Sequence, residues 1–130
     1  MAAIDTNVLV RIITRDHPEQ CAKAQAFLAA HGEEGVHVPP TVLLETAWVL
    51  ERSYQWSRDD VHRALHITAH CGSFRLDDTC HSAIELYQRE ASKGAGFADC
   101  LILQTVKDKH QGPLATFDQR LGALPGTKAL

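Results

Sequence analysis

The sequence predicts an α/β fold in three layers, a central parallel sheet flanked by helices, and two patterns support the prediction. Short β-like apolar runs alternate with longer helical ones along the chain, and parallel strands require such crossovers. Carboxylates also fall directly after apolar runs, where sheets of this class form their sites.

The elements follow in order. Residues 2–5 read as a strand and 7–14 as a short helix. Pro18 suits the first turn of a second helix, which Ala24, Phe27 and Leu28 make amphipathic and Gly32 closes. Val36-His37-Val38 reads as a second strand, ended by Pro39-Pro40, and a helix is expected over 41–54. Ser57, with Asp60 three residues on, resembles a capping box opening a helix to about Cys71. Phe74-Arg75-Leu76 reads as a short strand that ends at Asp77-Asp78. A helix over 79–93 follows, broken by Gly94-Ala95-Gly96, and another runs over 97–110. The strand 114–117 comes after Gly112-Pro113, and a turn of helix and a strand near Lys128 finish the chain.

A length of 130 residues without repeat or linker predicts a single domain over 1–130. A formal charge of −3, from 13 basic and 16 acidic residues, argues against holding nucleic acid by a broad basic face. It leaves room for an enzyme that meets a phosphodiester locally, through metal ions. No apolar stretch approaches the ~20 residues of a membrane span, and the start lacks a basic, signal-like region, so a cytoplasmic location is expected. Cys21, Cys71, Cys80 and Cys100 are far apart and form no CxxC pair, which reads as reduced thiols.

Function is best sought among acids that lack an ordinary explanation. Asp59 and Asp60 sit in a helix's first turn, where the dipole favours them. Asp5 instead interrupts the apolar opening MAAIDTNVLV, ending a strand and available to cap the next helix. Glu45 lies within VLLETAWVL, where helical spacing sets Val42, Trp48 and Val49 around it and predicts a carboxylate in or beside the core. A Glu45–Arg52 contact is the structural alternative. Asp99, in GFADCLILQTV, has Ile102 and Leu103 as helical neighbours, although a first-turn acid would also belong there. Asp118 follows the strand 114–117. Asp77-Asp78 competes, but a capping role before Thr79 explains it.

Were Asp5, Glu45, Asp99 and Asp118 brought together, they would repel, and some would hold protons near neutral pH. A hard divalent cation removes the conflict: Mg²⁺ or Mn²⁺ takes oxygen ligands and joins carboxylates to substrate phosphates. The chemistry suggested is metal-assisted phosphodiester hydrolysis.

DTNVLV, the glutamate within VLLETAWVL, FADCLI and TFDQRL, in this order and at these intervals, resemble a PIN domain, and most resemble the VapC-type toxins of bacterial toxin–antitoxin pairs. The resemblance covers essentially the whole chain, to the closing LGALPG. It implies a compact domain whose Asp5, Glu45, Asp99 and Asp118 form the acidic cluster of a Mg²⁺- or Mn²⁺-dependent ribonuclease. Asn7 and Thr116 would hold the acids or a metal-bound water. It further implies a homodimer and a cognate antitoxin that blocks the site and supplies most contact with DNA.

Other features carry less. His62, His66 and His70 recur at helical spacing but flank the stripe of Val61, Leu65 and Thr68, which reads as solvated surface. Arg11 and Arg15 are placed either near an RNA backbone or simply in solvent. Trp48 is expected in the core, and Trp56 is a possible stacking platform. Two other functions compete: a receiver domain, which would need Asp77 as phosphoacceptor, and a PIN module that binds without cleaving. A PIN-type nuclease outside toxin–antitoxin systems, acting in RNA processing or on DNA, is a third.

Overall fold

The computed structural model describes all residues from Met1 to Leu130, which group into two compact units, Met1–Asp77 and Asp78–Leu130. The first unit carries a three-stranded parallel sheet. Its strands are β1 (Ala2–Ala3), β2 (Val36–His37) and β3 (Phe74–Arg75), in that order across the sheet. The register pairs Ala3 with His37 and His37 with Arg75, and Ile4 N–H extends the pairing to the His37 carbonyl at 3.2 Å. All three strands point the same way, so Asp5, His37 and Asp77 lie at or beyond one end of the sheet.

Four helices belong to this unit: α1 (Thr6–Thr14), α2 (Pro18–His31), α3 (Pro40–Arg52) and α4 (Arg58–His70). Each start has a local cause. Asp5 caps α1, the His17 ring accepts from Gln20 N–H before α2, Pro40 occupies the first turn of α3, and Ser57 accepts from Asp60 N–H before α4. Leu9, Leu43, Leu50, Val61 and Leu65 are fully buried, as are Val36 in β2 and Val38 just after it. Gly35 enters β2 at φ +102, where a side chain would strain the backbone and meet Arg75 at 2.7 Å.

The second unit pairs α5 (Asp78–Arg89) with α6 (Phe97–Asp108) and adds a two-stranded parallel sheet, β4 (Leu114–Thr116) with β5 (Thr127–Ala129). Tyr87 and Phe97 are buried edge to face with centroids 5.7 Å apart. Cys80 and Cys100 are fully buried in this unit. No helix is long and apolar enough to cross a membrane.

Every expected strand and helix is present, with shifts of a few residues at the ends. The largest is at α5, which stops at Arg89, leaving Ala91–Lys93 as a separate 3₁₀ turn. Two side-chain expectations fail on α3. Trp48 is 53% exposed rather than core, and Glu45 is exposed as well. The buried stripe of α3 is Leu43, Thr46, Ala47 and Leu50; Thr41, Glu45, Trp48 and Arg52 form an exposed stripe on another face. Apolar neighbours around Glu45 therefore do not bury it.

Candidate active site

Asp5 leaves β1 with an extended backbone, and its Oδ1 accepts from Val8 N–H at 3.1 Å. The strand end and the helix cap are thus one residue, and the carboxylate sits at the positive end of α1. Thr6, the next residue, donates its hydroxyl to Glu45 Oε1, tying the start of α1 to α3 across 39 positions. That contact replaces the Glu45–Arg52 pairing considered from sequence. Read from sequence, Thr6 only helps to shape the turn around Asp5, and its reach to Glu45 is not visible there. Asn7 is exposed and makes no side-chain hydrogen bond.

In the second unit, Asp99 lies in the first turn of α6 and Asp118 follows β4. Burial pushes the Asp99 carboxyl above the usual carboxylate range, and the charge of Asp118 pushes it the same way. The structure therefore brings Asp99 and Asp118 within electrostatic reach of each other. Asp118 is exposed and built like Asp5: its Oδ1 accepts from Leu121 N–H at 2.8 Å, opening a 3₁₀ turn at Leu121–Ala123. Asp118 N–H donates to Thr116 Oγ1 at 3.0 Å, so Thr116 fixes the turn that carries the acid. Of Asp99's helical neighbours, Leu103 is buried, but Ile102 is 45% exposed.

The sequence-predicted acids thus associate as two pairs, Asp5 with Glu45 through Thr6, and Asp99 with Asp118. No three His, Cys, Asp or Glu side chains stand together at metal-holding distances. The donor set still suits a hard cation. Asp5, Glu45 and Asp118 each have one oxygen fixed by a hydrogen bond, while the other accepts none. Mg²⁺ commonly takes one or two carboxylates and completes its shell with water and phosphate, so a pair is sufficient.

Other residues fall elsewhere. Asp77 Oδ1 is hydrogen-bonded to His37 Nε2 at 3.1 Å. His62 is half-buried, while His66 and His70 are exposed, as expected for residues flanking the buried stripe. Their rings stack along the helix at 5.8 and 4.2 Å, and burial, then the neighbouring His66, lowers the His62 pKa.

Two comparisons bear on ancestry. The family model described as "PIN domain" matches residues 2–126. A VapC ribonuclease of Aquifex aeolicus (strain VF5) is 28% identical over 116 residues, covering 86% of this chain and 82% of that protein. The family match spans nearly the whole chain and leaves the receiver reading without support: the chain belongs to the PIN domain family.

Proposed function

We propose that this protein is a divalent-metal-dependent endoribonuclease, the toxin of a VapBC-type toxin–antitoxin pair, and that residues 1–130 act as one domain. The observation that carries the proposal is the Asp99–Asp118 pair: Asp99, half-buried at the start of α6, faces the charge of the exposed Asp118 after β4, and a cation between them would offset it. Similarity to a VapC ribonuclease supplies the substrate class. The family model runs through both compact units, which supports reading them as a single functional domain.

In this reading Asp5, Glu45, Asp99 and Asp118 hold Mg²⁺ or Mn²⁺. When bound, the ion lowers the pKa of a water and stabilises charge on the leaving oxygen of an RNA phosphodiester. The protein's task is to aim oxygens. Val8 N–H and Leu121 N–H fix one oxygen of Asp5 and of Asp118, and Thr6 fixes one of Glu45, leaving the others directed by those restraints. Thr116 steadies Asp118, and Asn7, without a side-chain partner, is available to orient a water. The partners implied are RNA, a cognate antitoxin and a second copy of the chain, with DNA reached through the antitoxin.

The test is cleavage of structured RNAs, tRNA included, by protein purified free of any co-expressed partner. Cutting in Mg²⁺ or Mn²⁺ that disappears in EDTA and in Asp99→Asn is expected. Cutting that survives Asp99→Asn would refute the site, and binding without cutting across the panel would favour a non-catalytic PIN module.

A further inference from the structure

We propose that a cleft beside Asp5, between the β1–α1 segment and α2, is a subsite for an RNA phosphate next to the scissile one, with Arg11 as its anion-binding group and Lys23 at its rim. The proposal rests on the ribonuclease reading and adds to it how the RNA strand is held.

The cleft has a volume of about 660 Å³, and its lining includes Asp5, Asn7, Arg11, Gln20, Lys23 and Phe27. Asp5 and Arg11 are six residues apart along α1, roughly 9 Å of helix rise. A strand whose phosphate is gripped at Asp5 therefore has its neighbouring phosphate on the scale of Arg11.

The Arg11 side chain is held ready for such a ligand. Its Nε donates to Gln20 Oε1 at 2.7 Å, and its Nη1 donates to Asp16 Oδ1 at 3.3 Å and to Tyr54 Oη at 3.2 Å. Tyr54 in turn donates to Asp16 Oδ2 at 2.6 Å, so α1, α2 and the turn after α3 all fix the guanidinium. No hydrogen bond occupies Nη2. A guanidinium fixed on one edge loses little further freedom when its remaining N–H groups meet a phosphate oxygen. Gln20, which accepts from Nε, gives this tether a role that bare charge would not need. Lys23 is 77% exposed and meets only Glu19, one turn away at 3.6 Å, a contact that is easily exchanged for an anion. The ring of Phe27 adds an apolar wall suited to ribose or base.

The geometry also separates the two arginines that the sequence groups together. Arg15 caps α1 in the left-handed conformation and lines a different cleft, with Arg63 and Ile67. Of the two, Arg11 is the one that lines the cleft with Asp5.

The test combines cleavage kinetics with RNA binding by the cleavage-dead Asp99→Asn protein, measured between 50 and 200 mM salt. Arg11→Gln and Lys23→Gln are each expected to raise KM roughly tenfold with kcat within about threefold. Each is also expected to reduce the slope of log affinity against log salt by about 0.7, the share of one phosphate contact on a single strand. Arg63→Gln, outside the cleft, is the control and keeps the wild-type slope. Lys23→Gln changes an exposed side chain, so it reads the subsite even where Arg11→Gln fails to fold. Wild-type KM and slope in Lys23→Gln and in folded Arg11→Gln, or an equal loss in Arg63→Gln, would overturn the proposal; the first result would leave the cleft to an acidic protein segment. Loss of metal-dependent cleavage in the wild type itself would instead remove the ribonuclease reading, with the binding slopes still reporting on the cleft.

Discussion

Thr46 and Thr68 offer an internally controlled test of how this core is built. Both are buried, at 0% and 3% exposure, and both lie within helices, α3 and α4. Thr68 Oγ1 donates to the Ala64 carbonyl one turn back at 2.8 Å, whereas Thr46 Oγ1 has no hydrogen-bond partner. Thr→Val exchanges a hydroxyl for a methyl of nearly the same size and keeps the β-branch, so helix propensity and shape change little. At Thr46 the change removes an unsatisfied buried hydroxyl, whose desolvation costs about 1–3 kcal/mol. At Thr68 it removes a made hydrogen bond worth about 0.5–1.5 kcal/mol net, offset in part by the added apolar burial. Thr46→Val is therefore expected to stabilise by about 1–2 kcal/mol, and Thr68→Val to lie between neutral and about 1 kcal/mol destabilising. With ~2.1 cal/mol/K of unfolding entropy per residue, 130 residues give ~0.27 kcal/mol per degree, so Thr46→Val raises Tm by about 4–7 °C. Urea unfolding and calorimetry on the two variants provide the readout. A Thr46→Val protein no more stable than wild type would refute the argument, because the hydroxyl would then have to be satisfied.

Three further predictions concern the site and its surroundings. In chelator, Asp99→Asn is expected to unfold later than wild type. The folded state holds the Asp99 proton more tightly than the unfolded chain, so wild-type stability falls as pH rises from about 4 through the raised folded pKa. The gap should therefore open with rising pH and vanish below that window; a gap independent of pH would count against the cause. Tyr54→Phe removes the first of the hydrogen bonds that hold the Asp16 carboxyl below its ordinary value. A depressed carboxylate contributes stability above its unfolded pKa of about 4 that disappears as pH falls through the folded one. The variant's unfolding midpoint should accordingly change less than the wild type's on acidification below pH ~4, and parallel curves would refute the link. Thr6→Val frees Glu45 and is expected to lower kcat roughly tenfold with Tm within a few degrees of wild type. Unchanged kcat would show that Glu45 needs no tether.

The sequence made the order of elements readable because Gly, Pro and capping residues punctuate it. Ser57 and Pro18 each begin a helix where expected, while Gly94 lies beyond the end of α5 rather than at it. Helix faces were less readable. Around Glu45, counting apolar neighbours implied burial, yet only one stripe of α3 is packed, and Trp48 shares the exposed stripe with Glu45. The recurrence of Thr41, Glu45 and Arg52 along that stripe was the available signal, and the tryptophan among them masked it.

The contrast between Asp5 and Asp99 explains why candidate acids can be named more readily than their chemistry. Asp5 and Asp118 occupy strand ends, and each also caps a helical turn through Oδ1. A capping aspartate and an aspartate aimed at a ligand are therefore the same residue in the same place, distinguished by what the second oxygen faces. Local sequence determines the first oxygen, because the accepting N–H lies three residues away. The second oxygen's surroundings depend on residues distant in the chain, just as Glu45 depends on Thr6 at a separation of 39. Asp99 differs because burial and Asp118, not a cap, set its charge. It is consequently the position where an isosteric amide should separate function from folding most cleanly, losing cleavage while gaining stability in chelator.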